Sequence, residues 1–308
     1  MATDDPTFTL ADLDAWSRPG TSLAVLGHPI RHSISPAMHN AALASLARSD
    51  ARFADWRYFR FEIHPDDLPR ALGLLHARGF RGVNLTVPHK IIAFDHVAEV
   101  DPAARPAGAV NTVRWTERGW QGFNTDGYGL AAAVRETLGT TLAGSHVILL
   151  GAGGAARGAA VECLQQGCAS LAIANRTREN LDALLELLAP LAGRIPVTGF
   201  APSLPPSNLP PGALVINATS AGLRASDPAP IALESLPPPA AVFDMIYNPP
   251  ETPLLRAASA RRIPHAHGLA MLVHQGAKAL EIWSGIPAEQ TAPVMGEAAR
   301  AALARPRT

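Results

Sequence analysis

A lysine stands at the predicted start of a helix, at the edge of a predicted sheet. Lys90 closes residues 84–90 (NLTVPHK), which run from the end of a predicted strand into that helix. A lysine in such a place can donate a proton to a developing alkoxide or accept one from a hydroxyl group. The positive end of the helix dipole disfavours an ordinary solvated lysine there, so the position favours a chemical role. Asp126 is the expected counter-charge, because a cation in a closed cleft needs one.

Two serine hydroxyls precede another predicted helix. Ser33 and Ser35 stand two residues apart, and Pro36 follows them as a first helical residue would. Together with the exposed N–H groups and the dipole of a helix N-terminus, such hydroxyls suit a small carboxylate. On these residues alone the plainer interpretation is preferred, in which Ser35 is an N-cap and Ser33 a loop residue.

Residues 146–180 predict half of a dinucleotide-binding unit. A buried-type strand at 147–150 runs into GAGGAA, then into a helix and a second strand at 171–174. In this G-x-G-x-x-A pattern the first glycine allows a tight turn, and the second lets the backbone approach a pyrophosphate. The helix N-terminus then offers N–H groups to the phosphates. The pattern therefore assigns the tight turn to Gly151, the pyrophosphate approach to Gly153 and the packing of the helix on the strand to Ala156.

The residues after the second strand of that unit indicate which dinucleotide binds. An NAD-binding protein usually has Asp or Glu there, to hold the ribose 2′-hydroxyl. This chain has Asn175, Arg176, Thr177 and Arg178 instead, and an arginine can clamp a 2′-phosphate. The alternative is an ordinary surface arginine at a helix start. The missing acid favours NADP(H) as the cofactor.

Alternating strand and helix patterns predict an α/β fold with these polar clusters at strand ends, where open parallel sheets bind ligands. In the first part, strands are predicted at 22–26, 56–63 and 82–87, and a hairpin at 109–115 and 120–123. In the second part, the strands at 147–150 and 171–174 precede a helix at 177–189, a proline-rich loop at 201–212 and strands at 213–217 and 242–245. Residues 1–20 are expected to form a short lead-in.

The composition of the 308 residues is that of a globular protein and excludes several classes of partner. Lys and Arg together number 26, as do Asp and Glu, so no net charge attracts nucleic acid or an anionic membrane. The first residues lack the apolar stretch of a signal peptide, and no apolar run reaches the length of a membrane span. Cys163 and Cys168 are spaced neither as a redox pair nor as zinc ligands, which predicts buried side chains, no metal and a cytoplasmic location.

The polar clusters stand in an order that resembles the shikimate dehydrogenase family. The matching stretches are GHPIRHSISPAMHN, NLTVPHK, GAVNT, FNTDG, GAGGAARG, NRT, INATSAG, DMIYNP and HGLAMLVHQGA, between about residues 23 and 285. The resemblance implies reversible reduction of 3-dehydroshikimate to shikimate with NADPH, in aromatic amino-acid biosynthesis. The expected fold has a substrate-binding α/β domain at 1–125 with a mainly parallel sheet, and a Rossmann NADP-binding domain at 126–267. Helices in 268–308 are expected to pack back on the first domain.

The resemblance also implies a role for each matching residue. Lys90 and Asp126 match the catalytic pair, and Asp126 is also expected to contact the substrate. Ser33 and Ser35 match the serines that bind the substrate carboxylate. The matching contacts to the ring hydroxyls and the carboxylate are Thr86, Asn111, Tyr247 and Gln275. The cofactor is matched by the turn at 151–155, by Asn175, Arg176 and Thr177 at the 2′-phosphate, and by Met245 and Gly268 at the nicotinamide.

Two departures from the family pattern leave alternatives open. Asn180 stands where many members carry a second basic residue, which weakens the NADP preference, and Ala221 replaces a serine in a loop. The nearest alternative is a quinate or quinate/shikimate dehydrogenase that uses NAD or NADP, although Ser35 favours shikimate. A remote alternative is a non-catalytic dinucleotide-binding sensor, which has no use for Lys90 and Asp126. The expected assembly is a monomer or a homodimer.

Overall fold

The chain divides into two units, each built around its own sheet. The computed structural model describes residues 6–224 and 226–304. The first unit joins Met1–Thr125 to Val273–Thr308, and the second is Asp126–Leu272. Both sheets are mostly parallel, which confirms the predicted α/β fold class.

The first unit contains a seven-stranded sheet with the strand order β1-β3-β2-β4-β6-β7-β5. Its strands are β1 (Thr7–Phe8), β2 (Ser22–Gly27), β3 (Arg57–Glu62), β4 (Gly82–Leu85), β5 (Glu99–Val100), β6 (Thr112–Thr116) and β7 (Gly119–Phe123). Its first helices are α1 (Leu10–Asp14), α2 (Ser35–Leu46), α3 (Leu68–Ala77) and α4 (His89–Ile92). Every residue of β2 and β4 is buried, as is typical of central strands in a parallel sheet that is covered on both faces. Only β6 runs antiparallel to its neighbours, in the predicted hairpin with β7.

The second unit contains a six-stranded parallel sheet with the order β10-β9-β8-β11-β12-β13. Its strands are β8 (His146–Leu150), β9 (Ser170–Ala174), β10 (Val197–Phe200), β11 (Leu214–Asn217), β12 (Ala241–Asp244) and β13 (His265–His267). Its helices are α5 (Asp126–Leu138), α6 (Gly154–Gln165), α7 (Arg178–Ala192) and α8 (Pro253–Ala260). This order, 3-2-1-4-5-6 in chain sequence, is that of a Rossmann sheet, as predicted.

Two C-terminal helices, α9 (Leu269–Ser284) and α10 (Ala288–Leu303), end the described chain. α10 packs against α2 in the first unit. Trp283 of α9 is 1% exposed, and its indole N–H donates to the carbonyl of Val113 at 3.0 Å. A side chain at Gly82 would overlap that indole, so β4 needs a glycine at this point. The predicted packing of the C-terminal helices on the first domain is confirmed.

Several elements differ from the sequence predictions. β10 lies in the stretch just before the proline-rich loop, and β1 and α1 lie in the predicted lead-in. α7 continues through Pro190 and ends before Gly193, whose φ is +54°. β4 ends at Leu85, so Thr86 and Val87, which were predicted to be strand residues, belong to the loop that follows.

The cysteines are buried, as predicted. Cys163 and Cys168 are both free thiols. Burial raises the pKa of Cys163 well above its usual range and that of Cys168 to about 11, so both side chains stay protonated and apolar at neutral pH.

His39 is a buried titratable group in the first unit. It is 0% exposed, and its ring stacks on that of Tyr58 with centroids 4.1 Å apart and planes at 1°. Among the described residues neither ring nitrogen has a hydrogen-bond partner. Burial lowers the pKa of His39 from 6.5 to about 3, so the ring is neutral in the folded protein near neutral pH.

We expect His39 to make the protein sensitive to acid. The unfolded chain binds a proton at this ring near its ordinary pKa of about 6.5 and the folded chain does not, so the free energy of unfolding falls as the pH drops from 6.5 towards 3. The loss from one such group approaches about 1.4 kcal/mol per pH unit, or about 2 kcal/mol at pH 5. Urea unfolding at pH 7.5 and 5.0 measures it, and His39→Phe, which keeps an aromatic ring, should lose less stability than the wild type. Equal losses would contradict the assignment.

Candidate active site

The loops after β2 and β4 lie side by side at one edge of the first sheet. The two strands are neighbours and run parallel, and the loops are joined by backbone hydrogen bonds from Thr86 N–H to the Leu26 carbonyl and from His28 N–H to the Val87 carbonyl, at 2.9 and 3.1 Å. A Cβ atom at Gly27 would lie 2.6 Å from the Thr86 methyl group, so the glycine permits this close approach. The arrangement brings residues 33–35 and 86–90 to the same edge of the sheet.

Lys90 is held at this edge by its backbone. It is the second residue of α4, half-buried, and its carbonyl accepts a hydrogen bond from Val110 N–H at 2.9 Å. Of the 26 basic residues only Lys90 and Lys278 are lysines, so arginine is the usual choice of this chain for a surface cation. His89, directly before Lys90, is buried, which lowers its pKa to about 4 and keeps its ring neutral beside the lysine.

Ser33 and Ser35 take up positions that differ from the plainer interpretation. α2 begins at Ser35 itself with Ile34 as N-cap, so the expectation that Ser35 is the cap is wrong. The Ser33 hydroxyl, which lies two residues before the helix, instead accepts a hydrogen bond from Ser35 N–H at 3.3 Å. The Ser35 side chain is nearly buried, at 7% exposed.

Arg60 supports this loop, although it belongs to none of the sequence motifs. It is 5% exposed, its guanidinium donates to the Ser33 carbonyl at 2.9 Å, and its Nε donates to the Thr7 hydroxyl at 2.9 Å. A charged residue at a buried position within the strand pattern at 56–63 is the signal that could have identified it, because buried charges need specific partners.

Asn111 lies at the centre of a buried polar cluster in the first unit. Its Oδ1 accepts from Thr125 N–H at 2.8 Å, and its Nδ2 donates to the Thr125 hydroxyl at 3.0 Å. The same Nδ2 donates to Oε1 of Gln275, on α9, at 3.4 Å. Asn111 and Gln275, which the resemblance implies as substrate contacts, are therefore neighbours although they lie 164 residues apart in the sequence.

Asp126 and Tyr247 belong to the second unit. Asp126 is the first residue of α5 and is 3% exposed. A carboxylate at this place interacts favourably with the positive end of the helix dipole. Tyr247 is half-buried in the loop that follows β12. Lys90, Ser33, Ser35, Thr86, Asn111 and Gln275 all belong to the first unit.

The glycine-rich turn joins β8 to α6 in the predicted manner. Gly151 has φ +114°, and a Cβ atom there would lie 3.1 Å from the Ala218 carbonyl oxygen, so a tight turn requires the glycine. Gly153 is the N-cap of α6, and apart from the local backbone and its chain neighbours no described atom lies within 4 Å of the place where its Cβ would be. No described side chain caps this helix, so its first N–H groups have the geometry to bind an anion. Ala152 lies between the two glycines, and Gly154 and Ala155 are the first residues of α6.

The segment after β9 contains two arginines in different situations. Arg178 donates through Nε to both carboxylate oxygens of Asp182, at 2.9 and 2.7 Å, which raises the pKa of this arginine. Arg176 is exposed, and in the described part of the chain it forms no ion pair. Asn175 donates from Nδ2 to the Thr177 carbonyl at 2.8 Å and so stabilises the turn that presents Arg176.

Met245 and Gly268 follow neighbouring strands of the second sheet, β12 and β13. Gly268 is buried, its N–H donates to the Ile246 carbonyl at 3.1 Å, and any side chain there would overlap the backbone of Met245. The two predicted nicotinamide-lining residues are therefore in contact. Asp244, directly before Met245, is 0% exposed, and burial raises the pKa of its carboxyl group. The carboxyl group accepts hydrogen bonds from Asn217 and Thr252 at 2.9 and 2.6 Å.

The described residues provide neither a metal cluster nor a membrane-spanning helix. Within residues 6–224 and 226–304, no three His, Cys, Asp or Glu side chains are grouped so that they could hold a metal ion. Over the same residues, no helix combines the length and the apolar character needed to cross a membrane.

Comparison with known proteins gives matches in both parts of the chain. The model of the shikimate dehydrogenase substrate binding domain matches residues 25–113, and that of the shikimate 5'-dehydrogenase C-terminal domain matches residues 268–300. Shikimate dehydrogenase (NADP(+)) of Moorella thermoacetica is 39% identical over 270 residues, which cover 85% of this chain and 88% of that protein. The protein of the same name from Symbiobacterium thermophilum is 40% identical and covers 92% of this chain and 95% of its own length.

A solved structure is similar over almost the whole chain. Shikimate 5-dehydrogenase from Thermus thermophilus, in complex with NADP(H) and shikimate, superposes with a TM-score of 0.77 at 37% identity. The match covers 92% of this chain and 99% of that one.

Proposed function

The chain belongs to the shikimate dehydrogenase family, and we propose that it catalyses the reversible NADP-dependent interconversion of 3-dehydroshikimate and shikimate. It is an oxidoreductase that acts on a CH–OH group and serves aromatic amino-acid biosynthesis. The observation that carries the proposal is the close approach of the loops after β2 and β4, which places Ser33 and Ser35 at the same sheet edge as Lys90.

The second unit holds the cofactor in this proposal. The open space beside Gly153 and the uncapped N-terminus of α6 fit a pyrophosphate, and Arg176, presented by Asn175 and Thr177, fits the 2′-phosphate. Met245 and Gly268 line the nicotinamide site. When bound, NADPH supplies the hydride that reduces the ketone of 3-dehydroshikimate.

Lys90 and Asp126 act as the catalytic pair. As negative charge develops on the ketone oxygen, the Lys90 ammonium stabilises it and donates a proton to the resulting alkoxide. In the reverse direction Lys90 accepts the proton of the shikimate hydroxyl. Asp126 contacts the substrate and supplies the opposite charge for Lys90, so the protonation of the two groups is coupled in this proposal.

The first unit selects the substrate. Ser33 and Ser35 donate hydroxyl hydrogen bonds to the substrate carboxylate, assisted by the N-terminus of α2. The remaining contacts to the ring hydroxyls and carboxylate come from Thr86, Asn111, Tyr247 and Gln275. Because these groups are hydrogen-bonding side chains, analogues that lack a ring hydroxyl should be rejected more strongly than analogues that only change shape.

Arg176, not Arg178, is expected to select NADP over NAD. Arg176→Ala should raise the KM for NADP by about tenfold or more, since a charge-assisted hydrogen bond to phosphate is lost, and should change the KM for NAD little. Steady-state rates with each cofactor measure both constants.

Arg178→Ala is the matched control for this prediction. The exposed pair of Arg178 with Asp182 contributes little to stability, so the variant should keep its KM for NADP within about twofold. A larger effect at Arg178 than at Arg176 would show that Arg178 leaves Asp182 to bind the 2′-phosphate.

The proposal is tested by initial rates with shikimate and quinate, each with NADP and with NAD. The expected order puts shikimate with NADP first by kcat/KM. Quinate as the better substrate would instead favour the quinate dehydrogenase alternative, and NAD as the better cofactor would contradict the proposed preference for NADP. NADPH binding without any turnover would favour the sensor alternative.

Location and assembly follow from the same proposal. The two free buried thiols suit the reducing cytoplasm. The proposed assembly is a monomer or a homodimer, and light scattering of the purified protein distinguishes these two states. The other proposed partners are small molecules.

A further inference from the structure

A line of buried side chains connects β3 with the candidate substrate site. The Tyr58 hydroxyl donates to Oδ1 of Asn84 at 2.7 Å, and Nδ2 of Asn84 donates to the Thr112 hydroxyl at 3.0 Å. The Thr112 hydroxyl in turn donates to Oδ1 of Asn111 at 3.0 Å. All four residues belong to the first unit, and none is more than 6% exposed.

Each hydrogen bond in this line determines the direction of the next. Because Oδ1 of Asn84 accepts from Tyr58, its amide Nδ2 must face Thr112. The Thr112 hydroxyl receives that bond and has only one proton, which it gives to Asn111. With its Oδ1 occupied by Thr112 and by Thr125 N–H, Asn111 turns its Nδ2 towards Gln275.

The start of the line is fixed in position. Asn40 donates to the Tyr58 carbonyl at 3.0 Å and accepts from Tyr58 N–H at 2.8 Å. The His39 ring stacks on the phenol ring, with centroids 4.1 Å apart. Burial raises the pKa of Tyr58 well above its usual range, so the phenol keeps its proton and remains a donor.

We propose that Tyr58 is a positioning residue, which acts through Asn84 and Thr112 to orient the Asn111 amide as a hydrogen-bond donor towards the substrate and Gln275. Nδ2 of Asn84 also donates to the Asn111 carbonyl, but at 3.3 Å, which is longer than the 2.7 Å bond from the phenol to Oδ1. Without the phenol, the Asn84 amide can give up this longer bond, rotate by half a turn and present its oxygen to Thr112. The Thr112 proton then goes to Asn84, and the Oδ1 of Asn111 loses one of the hydrogen bonds that orient it, while the bond from Thr125 N–H remains. The proposal rests on the proposed function, because it assigns Asn111 to substrate binding.

A network of this kind also stabilises the fold, and the two roles differ in their kinetics. A purely structural role lowers the free energy of unfolding and leaves KM unchanged in the enzyme that remains folded. An orienting role raises the KM for shikimate selectively and does so only while Asn111 is present. The distinction calls for variants of Tyr58, Thr112 and Asn111 in combination.

The test uses Tyr58→Phe, which removes the hydroxyl and keeps the ring, and Thr112→Val, which removes the next link. Each should raise the KM for shikimate about fivefold to tenfold, the size expected for one buried hydrogen bond, with the KM for NADP unchanged. Combined with each other or with Asn111→Ala, they should add no further increase. Thr291→Val is the matched control, because it removes a buried hydroxyl that donates only within α10, to the Ala288 carbonyl at 3.3 Å.

Wild-type turnover of shikimate is measured first. If the proposed function is wrong, the unaltered enzyme already fails to turn over; if only the positioning role of Tyr58 is wrong, the difference appears in the variants alone. Urea unfolding of each variant identifies any that does not fold. A wild-type KM in a folded Tyr58→Phe or Thr112→Val enzyme would overturn the proposal. An equal rise of KM in the presence and absence of the Asn111 side chain would also overturn it.

Discussion

Replacement of Lys90 by alanine is expected to lower kcat for shikimate oxidation by about 10² or more, the usual contribution of a general acid–base group. Lys90 is half-buried, and its backbone carbonyl, which accepts from Val110 N–H, remains in the alanine variant. The start of α4 should therefore keep its structure. The KM for NADP should stay near the wild-type value. Steady-state rates with saturating shikimate and NADP measure the effect.

Lys278→Ala provides the matched control, because Lys278 is the only other lysine of the chain. It pairs with Glu281 on the same helix, at 2.6 Å, and should be replaceable without loss of kcat. Near-normal turnover in the Lys90→Ala enzyme would remove this residue from the catalytic role.

Replacement of Asp126 by asparagine should lower kcat by about 10² as well, because a charge arranged for the transition state is lost while the shape of the side chain is kept. At the N-terminus of α5 the carboxylate also interacts with the helix dipole, so the variant should be less stable by up to about 1 kcal/mol. That loss is small enough for the kinetic effect to be measured on folded enzyme.

The double variant Lys90→Ala, Asp126→Asn tests whether the two residues act as a unit. Its kcat should be about that of Lys90→Ala alone, since groups that act together are not additive. Asp14→Asn serves as the control, because Asp14 pairs with Arg70 in an exposed salt bridge. If the double variant instead lowers kcat by the product of the two single factors, Asp126 acts independently of Lys90.

The central strands were predictable from the sequence, and the edge strands were not. β8, β9, β11 and β12 are continuous apolar runs because both faces of the second sheet are covered. β10 and β13 lie at its two edges and are mostly half-exposed or exposed, so their residues do not form an apolar run. The register and the order of the strands depend on packing between segments far apart in the chain, which a local sequence pattern does not contain.

The residues of the candidate site also divide into those that the sequence indicates and those that only the structure reveals. Residue types at strand ends indicated Lys90 and Asp126, and short motifs indicated the serines and the glycine-rich turn. The supporting contacts join residues distant in sequence: Tyr58 bonds Asn84, and Arg60 bonds the Ser33 carbonyl. Residue types alone allowed either Arg176 or Arg178 as the phosphate ligand, and the family resemblance matched Arg176; the ion pair of Arg178 with Asp182 supports that choice.

The central claim is that this chain transfers a hydride between NADPH and 3-dehydroshikimate, and one measurement tests it directly. Purified protein is mixed with both compounds, and the decrease of the reduced-nicotinamide absorbance is compared with the shikimate formed, measured by chromatography. The account predicts one shikimate for each NADPH consumed, and the loss of both signals in the Lys90→Ala enzyme on the same time scale. NADPH that binds without being consumed, or is consumed without shikimate being formed, would contradict it.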